Sequence, residues 1–234
     1  MNNIVLYGDT HGFWSRMSNR IRQNHENSYI IHVGDFGVVD EDRIESYYLE
    51  SLQKALEKKN CFLYVIRGNH DNPNRFLKTH HPYGFSNILF IPDYTELNLL
   101  GKKILLIGGG ISVDRYKRTE GEDYWKDEKF KFDPNYEYTT YDLVVTHIKP
   151  RSCNCKKGYK DIQYHIDQDI NLLSDLIEES EEADKLYQKT KPADWIFGHY
   201  HLSFTEKFED TIFKCLNVDE DYLYYSTIQP FQQS

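Results

Sequence analysis

The sequence predicts an α/β fold, built from short buried strands that alternate with amphipathic helices. Three observations carry that expectation. Six short apolar runs each lead straight into a polar tip. Apolar residues between several of these runs recur every three or four positions. The 234 residues, 39% apolar and 15% aromatic, are enough for one sizeable core.

In chain order, the strand-like runs begin with Ile4–Tyr7 before "GDTHG", Tyr29–Val33 before "GDFG" and Phe62–Ile66 before "RGNHD". They continue with Ile104–Ile107 before "GGGISVDR", Leu143–Val145 before "THIKP" and Trp195–Phe197 before "GHYH". Helices are predicted where Phe13, Met17 and Ile21 line up, then Ile44, Tyr48, Leu52 and Leu56, then Ile166, Ile170, Leu173 and Ile177. In α/β sheets of this kind the polar tips gather outside the carboxyl ends of the strands, where ligands bind. Residues 114–141 break the rhythm, with eight aromatics, mixed charges and no period. So long a stretch reads as a lid or specificity insertion beside the site, the alternative being a solvated excursion. No Gly/Ser-rich or Pro-rich linker divides the chain, so residues 1–234 are expected to form one domain.

A formal charge of −9 disfavours a nucleic-acid or membrane partner, and any phosphate recognition has to be local. No apolar run reaches the length of a membrane span, and with no h-region before Gly8 a secretory leader is not expected. Cys61, Cys153, Cys155 and Cys215 are too few and too scattered for a disulfide framework, which points to a reduced, cytoplasmic protein. Cys153 and Cys155 read as loop thiols rather than a metal site, and His32 and His165 as structural.

The tips together collect Asp9, His11, Asp35, Asn69, His70, Asp71, His147, His199 and His201, five of the ten histidines among them. Taken singly, each is a common turn or a hydrogen-bonded strand end. Their joint occurrence is harder to explain structurally. Carboxylates, imidazoles and one amide, with no thiolate, suit borderline divalent ions such as Mn, Fe or Zn.

The ordered set "GDTHG", "GDFG", "GNHD", "TH" and "GHYH", spread over residues 8–201, resembles the calcineurin-like metallophosphoesterase superfamily. The resemblance implies a four-layered α/β/β/α sandwich with a dinuclear metal centre at the strand ends. It also implies that Asp9, His11 and His201 hold one ion, that Asn69, His147 and His199 hold the other, and that Asp35 bridges the two. His70 would then stand beside the leaving group as a proton donor, with Asp71 setting its tautomer. Arg67 would clamp the phosphoryl oxygens, as in the protein-phosphatase-like branch, the alternative being a salt bridge.

That branch carries a D-R-G element where this chain reads "GDFGVVDEDR", which leaves Arg115 in "GGGISVDR" as a substitute phosphate ligand. Arg151, followed by Lys156, Lys157 and Lys160, would greet an anionic substrate, the alternative being a solvated basic loop. The expected activity is hydrolysis of phosphomonoesters or nucleotide-type substrates, phosphoproteins included, by a hydroxide bridging two divalent ions. Phosphodiester cleavage, nuclease action included, and a catalytically inactive scaffold are the alternatives.

Overall fold

The computed structural model describes residues 1–40, 42–155 and 162–228. The elements run β1 (Asn3–Tyr7), α1 (Trp14–Asn24), β2 (Ser28–His32), α2 (Arg43–Lys58), β3 (Phe62–Val65), β4 (Ile88–Phe90), β5 (Thr95–Leu99) and β6 (Lys102–Ile107). There follow β7 (Leu143–Thr146), α3 (Ile162–Gln168), α4 (Leu172–Thr190), β8 (Asp194–Phe197), β9 (Phe204–Phe208), β10 (Thr211–Cys215) and β11 (Asp221–Ser226).

Two sheets result. The first has the order β11-β1-β2-β3-β4 and the second β5-β6-β7-β8-β10-β9. Each has a parallel centre, with antiparallel strands at β11, β5 and β9. Alternate residues of one strand face different layers, as the two-residue strand period requires. Val5 and Tyr7 pack with Met17 and Ile21 of α1 and Leu49, Leu52 and Leu56 of α2. Ile4 and Leu6 instead face the second sheet, meeting Ile104, Leu106, Leu143, Val145 and Ile196. On that sheet's outer side Leu105, Val144, Trp195 and Phe197 pack with Ala183, Leu186 and Tyr187 of α4. The layers are therefore helix, sheet, sheet, helix.

Register brings the polar tips level. Tyr7 pairs with His32 and His32 with Val65 in one sheet, while Ile107 pairs with Thr146 and Val145 with Ile196 in the other. The tips of both sheets also approach across the seam between them. A Cβ on Gly34, at the end of β2, would stand 2.5 Å from His147 Nδ1, and one on Gly198, after β8, would stand 2.2 Å from Asp9 Oδ1. Glycine is required there because no side chain fits.

The third predicted helix differs from expectation. It is two helices, because the Asp169 carboxylate accepts the Asn171 N–H at 3.0 Å and pairs with Arg115 Nε at 2.6 Å, ending α3 in a turn. Ile170, Leu173 and Ile177 lie on the exposed side, as do Ile44 and Tyr48 of α2. Residues 114–141 contain a short 3-10 turn at Arg115–Lys117 and an isolated Glu120–Tyr124 bridge, yet Trp125, Phe130 and Tyr141 are buried. No helix among the described residues is long and apolar enough to cross a membrane.

Candidate metal centre

Each polar tip follows a buried strand whose last residues are held by ladder bonds, so the first free residues project from a rigid edge. Two groups of side chains converge there. Donor atoms of Asp9, His11, Asp35 and His201 lie within 4.8 Å of one another, and so do those of Asp35, His147 and His199. Asp35 belongs to both.

In the first group His11 Nε2 and His201 Nε2 are 2.9 Å apart, and His201 Nε2 is 3.3 Å from Asp9 Oδ2. Only one of two facing ring nitrogens can carry the proton between them, so the other presents a lone pair. Asp9 Oδ1 is buried and has no hydrogen-bond partner among the described residues. In the second group His147 Nε2 lies 3.2 Å from Asp35 Oδ1 and 3.1 Å from Asn69 Oδ1. The other ring nitrogen, Nδ1, donates to the Val33 carbonyl at 2.9 Å, which aims Nε2 at the cluster. An orphaned buried carboxylate oxygen and facing imidazole lone pairs are what a divalent cation satisfies, so the donor set fits a metal pair.

The electrostatics follow from this crowding. Burial works to raise the Asp35 carboxyl, yet the imidazoles of His147, His70 and His11 hold it well below the usual carboxylate range. Burial depresses His147 as well, but the Asp35 carboxylate outweighs it and lifts that imidazole to about 9. Burial, with His147 adjacent, pushes His199 well down, and burial also lowers His11. The hydrogen bond to Asp9 raises His201. His11, Asp35, His199 and His201 adopt positive φ, at 46°, 55°, 67° and 50°. Such backbone costs on the order of 1–3 kcal/mol per residue and gathers where function demands it.

His70 stands beside the cluster, edge-on to His11 at 4.8 Å, while its backbone N–H donates to Asp35 Oδ1 at 2.8 Å. Its side-chain neighbour is Arg118, whose guanidinium lies 3.0 Å from Nε2 and 3.4 Å from Nδ1. A cavity of about 310 Å³ is lined by Asp35, Asn69, His199 and His201 from the cluster and by His70, Lys117, Arg118 and His165. The Nδ1 atom of His165 is buried without a hydrogen-bond partner among the described residues. Cys153 and Cys155 are buried in the outer core, and fully buried His32 is held neutral, its imidazole lowered by burial to about 3.

Four expected roles need correcting. Arg67 is no phosphoryl clamp, because all five guanidinium N–H groups have protein acceptors. Nε and Nη2 reach Asp93 Oδ2 at 3.1 and 2.7 Å, Nη1 reaches the carbonyls of Asp127 and Glu128, and Nη2 also reaches that of Lys129. Asp71 does not orient His70. Its carboxylate accepts the backbone N–H groups of Phe36, Gly37, Val38 and Gly68 at 2.7–3.1 Å, shaping the loop that carries Asp35.

Arg115 is held by Asp169 and Asp175 at 2.6 and 2.7 Å. Arg151 pairs with Glu181 on the surface, and neither arginine lines the cavity. Lys156, Lys157 and Lys160 lie outside the described residues. Arg118 was missed on sequence. It sits three residues past Arg115 in a segment with no period, and nothing local separates the two.

The profile of the calcineurin-like phosphoesterase family matches residues 3–203. Comparison with curated proteins found no match. Among solved structures, the Thermus thermophilus protein TT1561 aligns at 10% identity and a TM-score of 0.51, over 93% of this chain and 89% of its own. Phosphopantetheinyl hydrolase from Mycobacterium tuberculosis aligns at 11% identity and a TM-score of 0.45, over 93% and 91% of the two chains. An archaeal phosphodiesterase aligns at 14% identity and a TM-score of 0.40, over 92% and 84%. With the profile spanning most of its length and the strand-end donors in place, the chain belongs to the calcineurin-like phosphoesterase family.

Proposed function

We propose that this protein is a dinuclear-metal phosphomonoesterase acting on small phosphorylated molecules of nucleotide type. The observation that carries this reading is the junction of two donor groups through Asp35, beside a cavity of about 310 Å³. That volume is at the low end for small-ligand sites. Asp9, His11 and His201 would hold one ion and Asn69, His147 and His199 the other, with Asp35 shared. When bound, two such ions supply Lewis acidity, lowering the pKa of water and neutralising phosphoryl charge. Manganese is the metal to try first.

The chain's own residues do the rest. Asn69 contributes a neutral oxygen, so the cluster carries two carboxylates rather than three. Arg118 takes the phosphate-binding part expected of Arg67, its forked N–H groups matching two phosphoryl oxygens. Those N–H groups now lie against the His70 nitrogens, so a phosphoryl group that takes them over also frees His70. His70 is then placed to protonate the departing ester oxygen. Asp114, Lys117 and Arg118 come from the 114–141 segment, which we read as a specificity insertion in a single domain.

The test is phosphate release with Mn added, over nucleotides, phosphopeptides, p-nitrophenyl phosphate and its bis-ester. Turnover of monoesters well above the bis-ester supports the proposal. A preference for the bis-ester would move the assignment to phosphodiesterase, and no turnover with two ions bound would make the chain a scaffold.

A further inference from the structure

We propose that Glu128, acting through Ser112, sets which way the Asn69 side-chain amide faces and so directs its oxygen toward the donor cluster. The inference rests on the reading of Asn69 as a metal donor.

Asn69, Ser112 and Glu128 are all buried, at 3%, 0% and 3% exposure, so water does not decide their hydrogen bonds. Glu128 grips Ser112 twice. Its Oε1 accepts the Ser112 N–H at 2.6 Å and its Oε2 accepts the hydroxyl at 2.9 Å. A hydroxyl has one proton, and the Glu128 carboxylate, ionised once the pH exceeds the value of about 7 to which burial lifts it, can only accept it. The Asn69 carbonyl, 3.5 Å from Ser112 Oγ, is the weaker competitor for that proton. Having donated to Glu128, Ser112 Oγ can only accept from the Asn69 side chain. The group 3.2 Å away is therefore the amide nitrogen, Nδ2. Oδ1 is thereby turned to the opposite side, 3.1 Å from His147 Nε2. Reversing the amide would point two N–H donors at a site built for cations.

Glu128 is itself held from several directions. Arg67 takes its carbonyl at 2.6 Å, and Glu179 of α4 accepts the N–H groups of Phe130 and Ile111 at 2.9 and 3.3 Å. This is the part that Arg67 and the latter half of the 114–141 segment play in the site. They bring one carboxylate to Ser112.

The experiment is Mn²⁺ titration of the full chain, followed by calorimetry and by electron paramagnetic resonance of the coupled ion pair. Glu128→Gln keeps the shape but puts an N–H donor where one carboxylate oxygen stood. Ser112 is then free to donate to Asn69. Ser112→Ala removes the link altogether and covers the case in which Glu128→Gln does not fold. Each variant is expected to keep one wild-type site and to weaken the other roughly 10–100-fold, with the spin-coupled signal lost at equal metal. Glu120→Gln, exposed on the same segment, is expected to titrate as wild type.

Wild-type titrations in both variants would overturn the relay, and so would equal weakening of both ions in step with a lower melting temperature of the metal-free protein. A wild-type chain that takes fewer than two ions overturns the dinuclear reading and the relay with it, and that failure is visible without any variant.

Discussion

Under the proposed function Arg118 takes the phosphate-binding role that the motif pattern suggests for Arg67, and replacing each arginine by alanine tests that reassignment. Arg118 presents two N–H edges, at 3.0 and 3.4 Å, to His70 and to the cavity. Hydrogen bonds to charged groups contribute about 1.5–3 kcal/mol each, so losing two from a bound phosphoryl group costs about 3–6 kcal/mol. A drop of roughly 10²–10⁴-fold in kcat/KM is expected for Arg118→Ala at a temperature where it stays folded, with metal content near wild type. Its melting temperature should fall too, because Asp114 loses its 2.6 Å ion pair and the Asp123 carbonyl its donor. The dianionic monoester should suffer more than the bis-ester, because it carries the extra oxygen charge that the fork reads.

Arg67→Ala should act differently. It strands the Asp93 carboxylate and the carbonyls of Asp127, Glu128 and Lys129. Breaking a buried pair of this kind costs about 3–5 kcal/mol of stability. Because Arg67 also holds Glu128, the comparison is made with both ions saturated, and the variant's kcat/KM at a temperature where it stays folded should then remain within roughly 10-fold of wild type. The assays are p-nitrophenyl phosphate hydrolysis, metal analysis and thermal melting on all three proteins. An Arg67→Ala protein that is stable and metal-replete yet inactive, beside an active Arg118→Ala protein, would refute the assignment of phosphate binding to Arg118.

Asp35→Asn is expected to reduce both ions together, since Asp35 is the donor common to the two groups, and metal analysis after reconstitution checks it. His70→Ala should keep both ions but lose on the order of 10²–10⁴-fold in kcat on an alkyl phosphate. The loss should be smaller on p-nitrophenyl phosphate, whose leaving group needs no proton, and a defect equal on both esters would count against proton donation. Glu179 gives a pH prediction, because burial lifts its carboxyl from 4.5 to about 7. The folded chain therefore holds a proton that the unfolded chain releases between these values, and this contribution to stability falls as pH rises through that window. Glu179→Gln cannot titrate, so it should gain on the wild type by on the order of 3 kcal/mol from pH 4.5 to pH 7.5. Urea melts of the metal-free proteins at several pH values measure this, and a constant difference would contradict the assignment.

The candidate donor set could be named from the sequence because its signals are local. A buried strand followed at once by a polar tip announces itself through composition over a few residues, as at Ile4–Tyr7 with Asp9 and His11. Parallel strands then bring such tips to one edge whatever the chain does in between. The alternation of strands and helices was legible for the same reason, since side-chain period is a property of each segment alone.

Tertiary structure alone decided how the long polar side chains pair. Arg67, Arg115, Arg118 and Arg151 are equivalent as sequence, each a guanidinium with five donors. Which one faces the cavity depends on acceptors tens of residues away, such as Asp93 for Arg67 and Asp169 for Arg115. Asp71 likewise turned from His70 to the backbone of residues 36–38 because the fold laid that loop against it. Periodicity also left open which side of a helix wins. The Ile170, Leu173 and Ile177 side faces outward, while Ala183, Leu186 and Tyr187 meet the sheet. Apolar stripes and strand tips are written into neighbouring residues, whereas the partner of a buried charge is fixed only when distant segments are packed together and every donor must find an acceptor.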